Sequence, residues 1–552
     1  MNHKTTIGKF ALDSLTIGMY ENEMVAYREY IQNSTDAIDK AIKLGWLKSN
    51  EDANIKVNVC PNDRTIEIED NGIGIEKNKA YSKLADIGNS DKDYLSDRGF
   101  RGIGRLAGTA YCDQLVFETS TKGESEKSII TWNCKKLKKL LQPGEYRDYD
   151  LEKVINECVS VEYDYEDNNK HFFKVIMHKV EEKSDLLNVS RVKEYLSQVA
   201  PLEMDVTCFY YYADLNSGIK RFMKDNNIPI EEYPVEVNGE RMTKLYSTVI
   251  KNNDGKKVDD IVGINCSIIT NDSCEPIAFL WYGDRKNCNS QIADSRVAGI
   301  RYRKDNIMVG NEETLSKFFT ESRFNKYYIG ELYILDKKII PNARRDDFED
   351  NDNYKILKDK FTEIAKRLTS IARNFSDMNN SYKKVEEAIK ENEQIIERIE
   401  KEKLNKETKE ELENKIKDNN SKIAKNSKKY GNSVSKLRDL GRKDIDNTIS
   451  YGMKNDTFVS NNDRYLHKDN NEDYKNNKKK YDPLRGVSRD IVKVTRGILD
   501  ILKNELKNTE YENIEAYINS LRKSFSKYIK ASGNIRNNVI SIFDTIENYS
   551  EL

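Results

Sequence analysis

The sequence is poor in several features that would each point to a class of protein. Net charge is almost absent, with 92 Lys and Arg against 93 Asp and Glu, so no global field draws the chain to nucleic acid or a membrane. Any such surface has to be local. No stretch approaches the roughly 20 apolar residues of a membrane span, and Met1 to Phe10 lacks the basic-then-apolar layout of a secretory signal. The expectation is a soluble, cytoplasmic protein. The eight cysteines form no C-x-x-C pair and the four histidines are scattered, which argues against structural zinc and a disulfide framework and for reduced, mostly buried thiols. Proline is scarce, at eight residues, and is missing between Pro341 and Pro483. Together with the rise in Lys, Glu and Asn after about residue 370, that gap separates a mixed α/β front half from a helical back half.

What is present begins with Arg28-Glu29-Tyr30-Ile31-Gln32-Asn33-Ser34-Thr35-Asp36-Ala37-Ile38-Asp39. The run from Met24 to Leu44 contains no proline or glycine, and its apolar positions recur at helical steps, which predicts a helix. On that helix Glu29, Asn33 and Asp36 fall at i, i+4 and i+7 and share one face, a face that can hold a metal and a water. Taken alone, the same pattern also fits a solvated polar stripe. Next, Asn54 to Cys60 and Thr65 to Glu69 alternate with a period of two around the turn Pro61-Asn62-Asp63, which predicts a hairpin. It ends on Asp70-Asn71-Gly72-Ile73-Gly74, where an aspartate at a strand end and glycines that admit close backbone approach can receive a flat ring. A third segment carries Lys92, then Gly99-Phe100-Arg101-Gly102-Ile103-Gly104. Glycines running into a helix offer amide N–H groups to an anion, and Lys92 and Arg101 add charge for a polyphosphate.

In this order, E-x-x-x-N-x-x-D-A, D-x-G-x-G and a lysine-bearing lid ending in G-F-R-G-x-G, the three boxes resemble the GHKL (Bergerat-fold) ATPase superfamily. That superfamily includes DNA gyrase B subunits, ninety-kilodalton heat-shock chaperones, sensor histidine kinases and MutL. The first box looks most like the chaperones, and Ser90 to Lys92 with Gly99 to Gly102 is similar to MutL and MORC proteins. The resemblance covers about residues 5 to 210 and implies a three-layer α/β sandwich that binds ATP with Mg2+. It implies that Glu29 activates the attacking water, that Asn33 holds magnesium and that Asp70 accepts the adenine amino hydrogen. Gly74 falls where the base is closely approached, and Asp36, Gly72, Lys92, Gly99, Arg101, Gly102, Ile103 and Gly104 complete the nucleotide-binding set.

A second, transducer-like α+β region carries strand-like runs at Val262 to Thr270, Ile277 to Trp281 and Tyr327 to Leu335, and ends on Pro341-Asn342-Ala343-Arg344-Arg345-Asp346-Asp347-Phe348. Two adjacent arginines there fit either a surface salt-bridge cluster or, by resemblance to the chaperones, a sensor of the γ-phosphate. The asparagine-to-arginine spacing favours Arg345 for that role, with Arg344 an alternative. A helix is expected from Asn353 to about Asn374. Tyr382 to Lys429 reads as an amphipathic coil that either runs on as a rod or restarts near the capping box at Thr408 and Glu411 as an antiparallel hairpin. Lys422 to Arg442 and Lys475 to Lys480 are short basic runs, either solvated or in contact with nucleic acid.

The expected organisation is 1–212 ATP-binding, 213–360 transducer-like, 361–430 helical coiled coil or hairpin, 431–483 polar linker or insertion, and 484–552 helical bundle. The functional expectation is a homodimeric, Mg-dependent ATPase clamp whose client is DNA, in bacterial DNA maintenance or defence against foreign DNA. A chaperone-like ATPase acting on proteins and a nucleotide-gated scaffold for a partner effector protein are the alternatives.

Overall fold

A short helix, α1 (Phe10–Leu15), precedes the one expected between Met24 and Leu44, which runs as α2 (Val25–Lys43). The computed structural model describes residues 8–442 apart from 16–21, 88–103 and the single positions 143, 145, 147, 230 and 403. Tyr27, Tyr30, Ile31, Ile38 and Ala41 of α2 are all buried. Two of its tyrosine hydroxyls tie it to remote chain. Tyr27 donates to the Leu186 carbonyl at 2.7 Å, and Tyr30 accepts from the Gly108 N–H at 2.9 Å.

The expected hairpin is β1 (Ile55–Cys60) and β2 (Thr65–Asp70), antiparallel with Ile55 opposite Asp70. The chain continues through α3 (Lys77–Ala85), β3 (Gln114–Ser120), β4 (Glu126–Asn133), α4 (Cys134–Leu141), α5 (Leu151–Cys158), β5 (Val159–Tyr165), β6 (Phe172–His178), α6 (Val189–Val199), α7 (Ile219–Asp225), β7 (Val235–Val237) and β8 (Glu240–Arg241). The eight strands form one sheet in the order β5-β4-β3-β6-β2-β1-β7-β8, antiparallel except where β7 joins β1. Burial on β1 alternates, with Ile55, Val57 and Val59 inside. These residues share one core with Ile31 and Ile38 of α2, Trp132 of β4 and Leu196 of α6. The sheet takes in β7 and β8, beyond residue 212.

A second sheet combines β9 (Val249–Lys251), β10 (Lys257–Thr270), β11 (Pro276–Arg285), β12 (Gly299–Lys304), β13 (Ile307–Val309) and β14 (Ile329–Ile334) in the order β13-β12-β14-β11-β10-β9. Two long helices follow, α8 (Asp352–Lys401) and α9 (Lys406–Asp439). The first half of α8 packs Leu357, Phe361, Ala365 and Leu368 into the core of this second sheet. The helix expected to stop near Asn374 therefore does not stop there. Its apolar stripe passes from the sheet to α9 without a break, and Val385 and Ala388 meet Ile423. The two helices run antiparallel, as the Asn392–Asn420, Lys415–Glu391 and Arg367–Leu440 contacts show. The turn is capped by the Asn405 side chain, which accepts from the Thr408 N–H at 2.8 Å, three residues ahead of the expected cap at Thr408. Residues 431–439, expected within a linker, continue α9. The rest of that segment and the 484–552 bundle lie outside the described residues.

Buried charge joins the two sheets. Glu331 accepts from Lys244 at 2.9 Å, from Arg303 Nε at 2.7 Å and from the Tyr246 hydroxyl at 3.1 Å. Arg303 also donates to the Val199 carbonyl at the end of α6, Arg301 to Gln198 Oε1, and Asn306 to the Glu231 carbonyl. Burial opposes ionisation of Glu331, but Arg303 and Lys244 outweigh it and hold its pKa down to about 2.

Candidate functional site

The site is assembled around α2. Of the expected residues on it, Glu29 and Asp36 are buried and Asn33 is half-buried. Asp70 reaches the same helix from the end of β2. The Ser34 side chain hydrogen-bonds its carboxylate, and the Gly72 N–H donates to Asp70 Oδ1 at 2.9 Å. Burial pushes the Asp70 pKa up to about 7, and the Ser34 and Gly72 hydrogen bonds oppose that rise only in part.

Glycine is required where the aspartate loop meets its neighbours. A Cβ on Gly72 would stand 2.5 Å from the Ala37 Cβ and 2.8 Å from Asp70 Oδ1. Gly74 has φ +64° and turns its bare Cα onto the Ser120 carbonyl, a conformation and an approach that a side chain would forbid. The loop is further held by the Ile73 N–H on the Ala37 carbonyl, the Ile75 N–H on Thr119 Oγ1, and a 2.8 Å hydrogen bond between His171 Nδ1 and the Gly72 carbonyl. Sequence reasoning missed Ser34, Thr119 and His171. His171 lies 99 residues from Gly72 in the chain, and only the pairing of β6 with β2 brings it close.

At the other end of α2 stands Glu29. Gly104, last of the expected glycine box, presses so close that a Cβ there would collide with the Glu29 carboxylate. It opens a 3-10 segment, Gly104–Ala110, in place of the expected α-helix start. Lys92, Gly99, Arg101, Gly102 and Ile103 lie outside the described residues.

The second sheet contributes an arginine. Pro341 and Phe348 bridge the ends of a tight loop, and Asn342 spans it by accepting from the Arg345 and Asp346 N–H groups. Arg345 takes φ +56°, a left-handed conformation unfavourable by about 1 kcal/mol or more for a residue that carries a Cβ. The two adjacent arginines consequently part. Arg344 pairs with Asp346 at 3.2 Å, its side chain 60% exposed, whereas Arg345 Nε lies 3.4 Å from Glu29 Oε1 with its side chain 12% exposed. Arg28 lies 3.4 Å from the same carboxylate oxygen and donates to the Arg344 carbonyl at 3.3 Å. The surface salt-bridge alternative thus describes Arg344, and Arg345 is drawn to the acid on α2.

Asn33 sits one helical turn from Glu29. Among the described residues no three His, Cys, Asp or Glu side chains are grouped to hold a metal. A carboxamide oxygen fits a hard cation that takes few protein ligands and completes its shell with phosphate and water.

Residues 20–160 match the family described as "Histidine kinase-, DNA gyrase B-, and HSP90-like ATPase". Similar proteins include the "Chaperone protein HtpG" of Acinetobacter baylyi, 24% identical over 216 residues, which are 35% of this chain and 30% of that one. The HtpG of Aliivibrio salmonicida is 25% identical over 220 residues, covering 36% and 32%, and that of Paraburkholderia xenovorans 30% over 132 residues, covering 21% of each. The chain spans about a third or less of the length of these curated relatives. The matched stretch holds α2, the aspartate loop and Gly104. Residues 20–160 therefore form an ATPase domain of the GHKL type, similar to that of the HSP90-class proteins.

Proposed function

We propose that this protein binds and hydrolyses ATP and works as a dimeric conformational clamp on DNA. The observation that carries the reading is the meeting of Glu29 on α2 with Arg345 from the second sheet's loop, 3.4 Å apart. A carboxylate on the nucleotide-binding helix is placed to take a proton from water, and general-base action of this kind contributes roughly 10² to 10⁴ in rate. An arginine arriving from a separate body can stabilise charge on a transferring phosphoryl group, and its contact then depends on that group. Hydrolysis thereby couples to the relation between the two sheets.

Asp70, buried between Ser34 and Gly72, is suited to accept a hydrogen from an exocyclic amine, as adenine would offer. Asn33, with the nucleotide phosphates, would hold Mg2+, which when bound offsets phosphate charge. Asp36 supports the same polar face, and Gly72, Gly74 and Gly104 keep it open to close backbone approach. Lys92, Gly99, Arg101, Gly102 and Ile103 would close over the phosphates.

The role in DNA maintenance or defence against foreign DNA is the finer part of the reading, supported by the acid-free basic stretch of α9. Similarity to HtpG favours a second reading, a chaperone-like ATPase with protein clients. ATP turnover measured with and without duplex DNA at several salt concentrations separates the two. The clamp reading expects stimulation that fades steeply with salt, since phosphate contacts release counterions. Turnover indifferent to DNA but raised by unfolded protein would favour the chaperone.

A further inference from the structure

Along α9 the charge pattern changes character. Its first third alternates Lys406, Lys409, Lys415 and Lys417 with Glu407, Glu410, Glu411, Glu413 and Asp418, the usual dress of a solvated helix. From Asn419 to Arg438 there are six cations and no acid.

Four of the cations form a line. Lys422, Lys425, Lys429 and Lys436 are spaced i, i+3, i+7 and i+14, which at 3.6 residues per turn places them within one narrow arc of the helix. All four are exposed, and Lys428 flanks the line. Asn419, Ile423, Ser433, Val434 and Leu437 form the buried seam against α8, so the line lies beside that seam and faces outward. Elsewhere on the hairpin several lysines are paired, as in Lys415–Glu391, Lys401–Glu397 and Lys383–Glu387. Among the described residues Lys425, Lys428, Lys429 and Lys436 make no ion pair. Lys422 donates to the Asn419 carboxamide oxygen at 3.1 Å and, at the end of the line, lies within the field of Glu391 on α8.

We propose that this lysine line of α9 docks the phosphate backbone of duplex DNA. At about 1.5 Å per residue the line spans roughly 21 Å, the length of about six base pairs at roughly 3.4 Å each. A helix packed along its partner presents the cations at fixed intervals, which suits a stiff duplex. The helix is rooted in the second sheet, since Val434 and Leu437 share the core of Phe361 and Leu368. DNA held on α9 therefore pulls on the body that carries Arg345. The inference rests on the DNA-clamp reading and names its contact surface.

The test uses the full chain and a fluorescent duplex of about 20 base pairs, with affinity measured by anisotropy from low to physiological salt. The variant combines Lys422→Ala, Lys425→Ala, Lys429→Ala and Lys436→Ala. The slope of log affinity against log salt should shrink by about 3 to 4, near 0.9 for each lost phosphate contact, while ATP turnover without DNA stays at the unmodified level. An unchanged slope, no duplex binding by the unmodified chain, or equal binding of polyglutamate overturns the proposal. Loss of ATP turnover in the unmodified chain would count against the nucleotide reading alone, because duplex binding is read without ATP.

Discussion

In the proposed mechanism Glu29 carries the chemistry of the site and Asp70 its recognition, so the two acids should respond differently to replacement. Glu29→Ala should lower ATP turnover by roughly 10² to 10⁴ while nucleotide affinity stays within a few fold, compared by steady-state hydrolysis and equilibrium titration. Turnover at the unmodified rate would remove Glu29 from the mechanism. Asp70 has its pKa raised by burial from 3.8 to about 7. A carboxyl raised in the folded state favours folding less as pH climbs, so its penalty grows between about pH 4 and 7 and is fully present above that. Asp70→Asn should therefore stabilise the nucleotide-free protein at pH 8 by roughly 2 to 4 kcal/mol, and much less at pH 5, in urea unfolding. The same variant should bind adenine nucleotide weakly, losing a hydrogen bond to a charged group worth about 1.5 to 3 kcal/mol. Undiminished affinity would reject the adenine role.

Among the elements, the Pro341–Phe348 loop is the one whose shape decides a contact. Its left-handed turn at Arg345 is held from outside by Gly310, whose N–H donates to the Arg345 carbonyl at 2.8 Å. Gly310 has φ +71°, and a Cβ there would lie 2.7 Å from the Asp346 carbonyl. Arg345→Ala should reduce turnover by about 10³ with a smaller effect on binding, as for an arginine that acts on the transferring phosphoryl group. Gly310→Ala should move the loop and reproduce part of that loss while leaving Arg345 in the sequence. Single-turnover and binding measurements on both variants check this. Weakened binding with normal turnover would refute the sensor assignment.

Across the whole molecule, the two sheets are joined through the charge buried between them. Glu331 is fully buried among Lys244, Arg303 and Tyr246, and removing it takes from two buried cations the carboxylate they share. Glu331→Ala should cost about 3 to 5 kcal/mol in urea unfolding at pH 7. Its folded pKa of about 2 lies below the unfolded carboxylate value, so its contribution is present above about pH 4 and is lost as pH falls towards 2. Unmodified protein should lose stability over that window more steeply than the variant.

Local pattern was enough to read the elements that hold the candidate site. The helix with Glu29, Asn33 and Asp36 and the hairpin ending on Asp70 appear within a residue or two of where periodicity and breakers put them, because both are settled by side chains close in sequence. Edge strand β5 was also within reach, since Val159-Ser160-Val161-Glu162-Tyr163 alternates. The single 50-residue α8 was harder, because nothing in its sequence shows that the apolar stripe serves a sheet at one end and a helix at the other. The sequence by itself determined that Glu29, Asn33 and Asp36 share one helix and that Asp70 ends a strand ahead of Gly72 and Gly74, since helical spacing and strand alternation are local properties. The asparagine-to-arginine spacing favoured Arg345 over Arg344, but only the tertiary structure decided that it meets Glu29. That meeting turns on one positive φ and on a contact between residues more than three hundred positions apart, which no local pattern encodes.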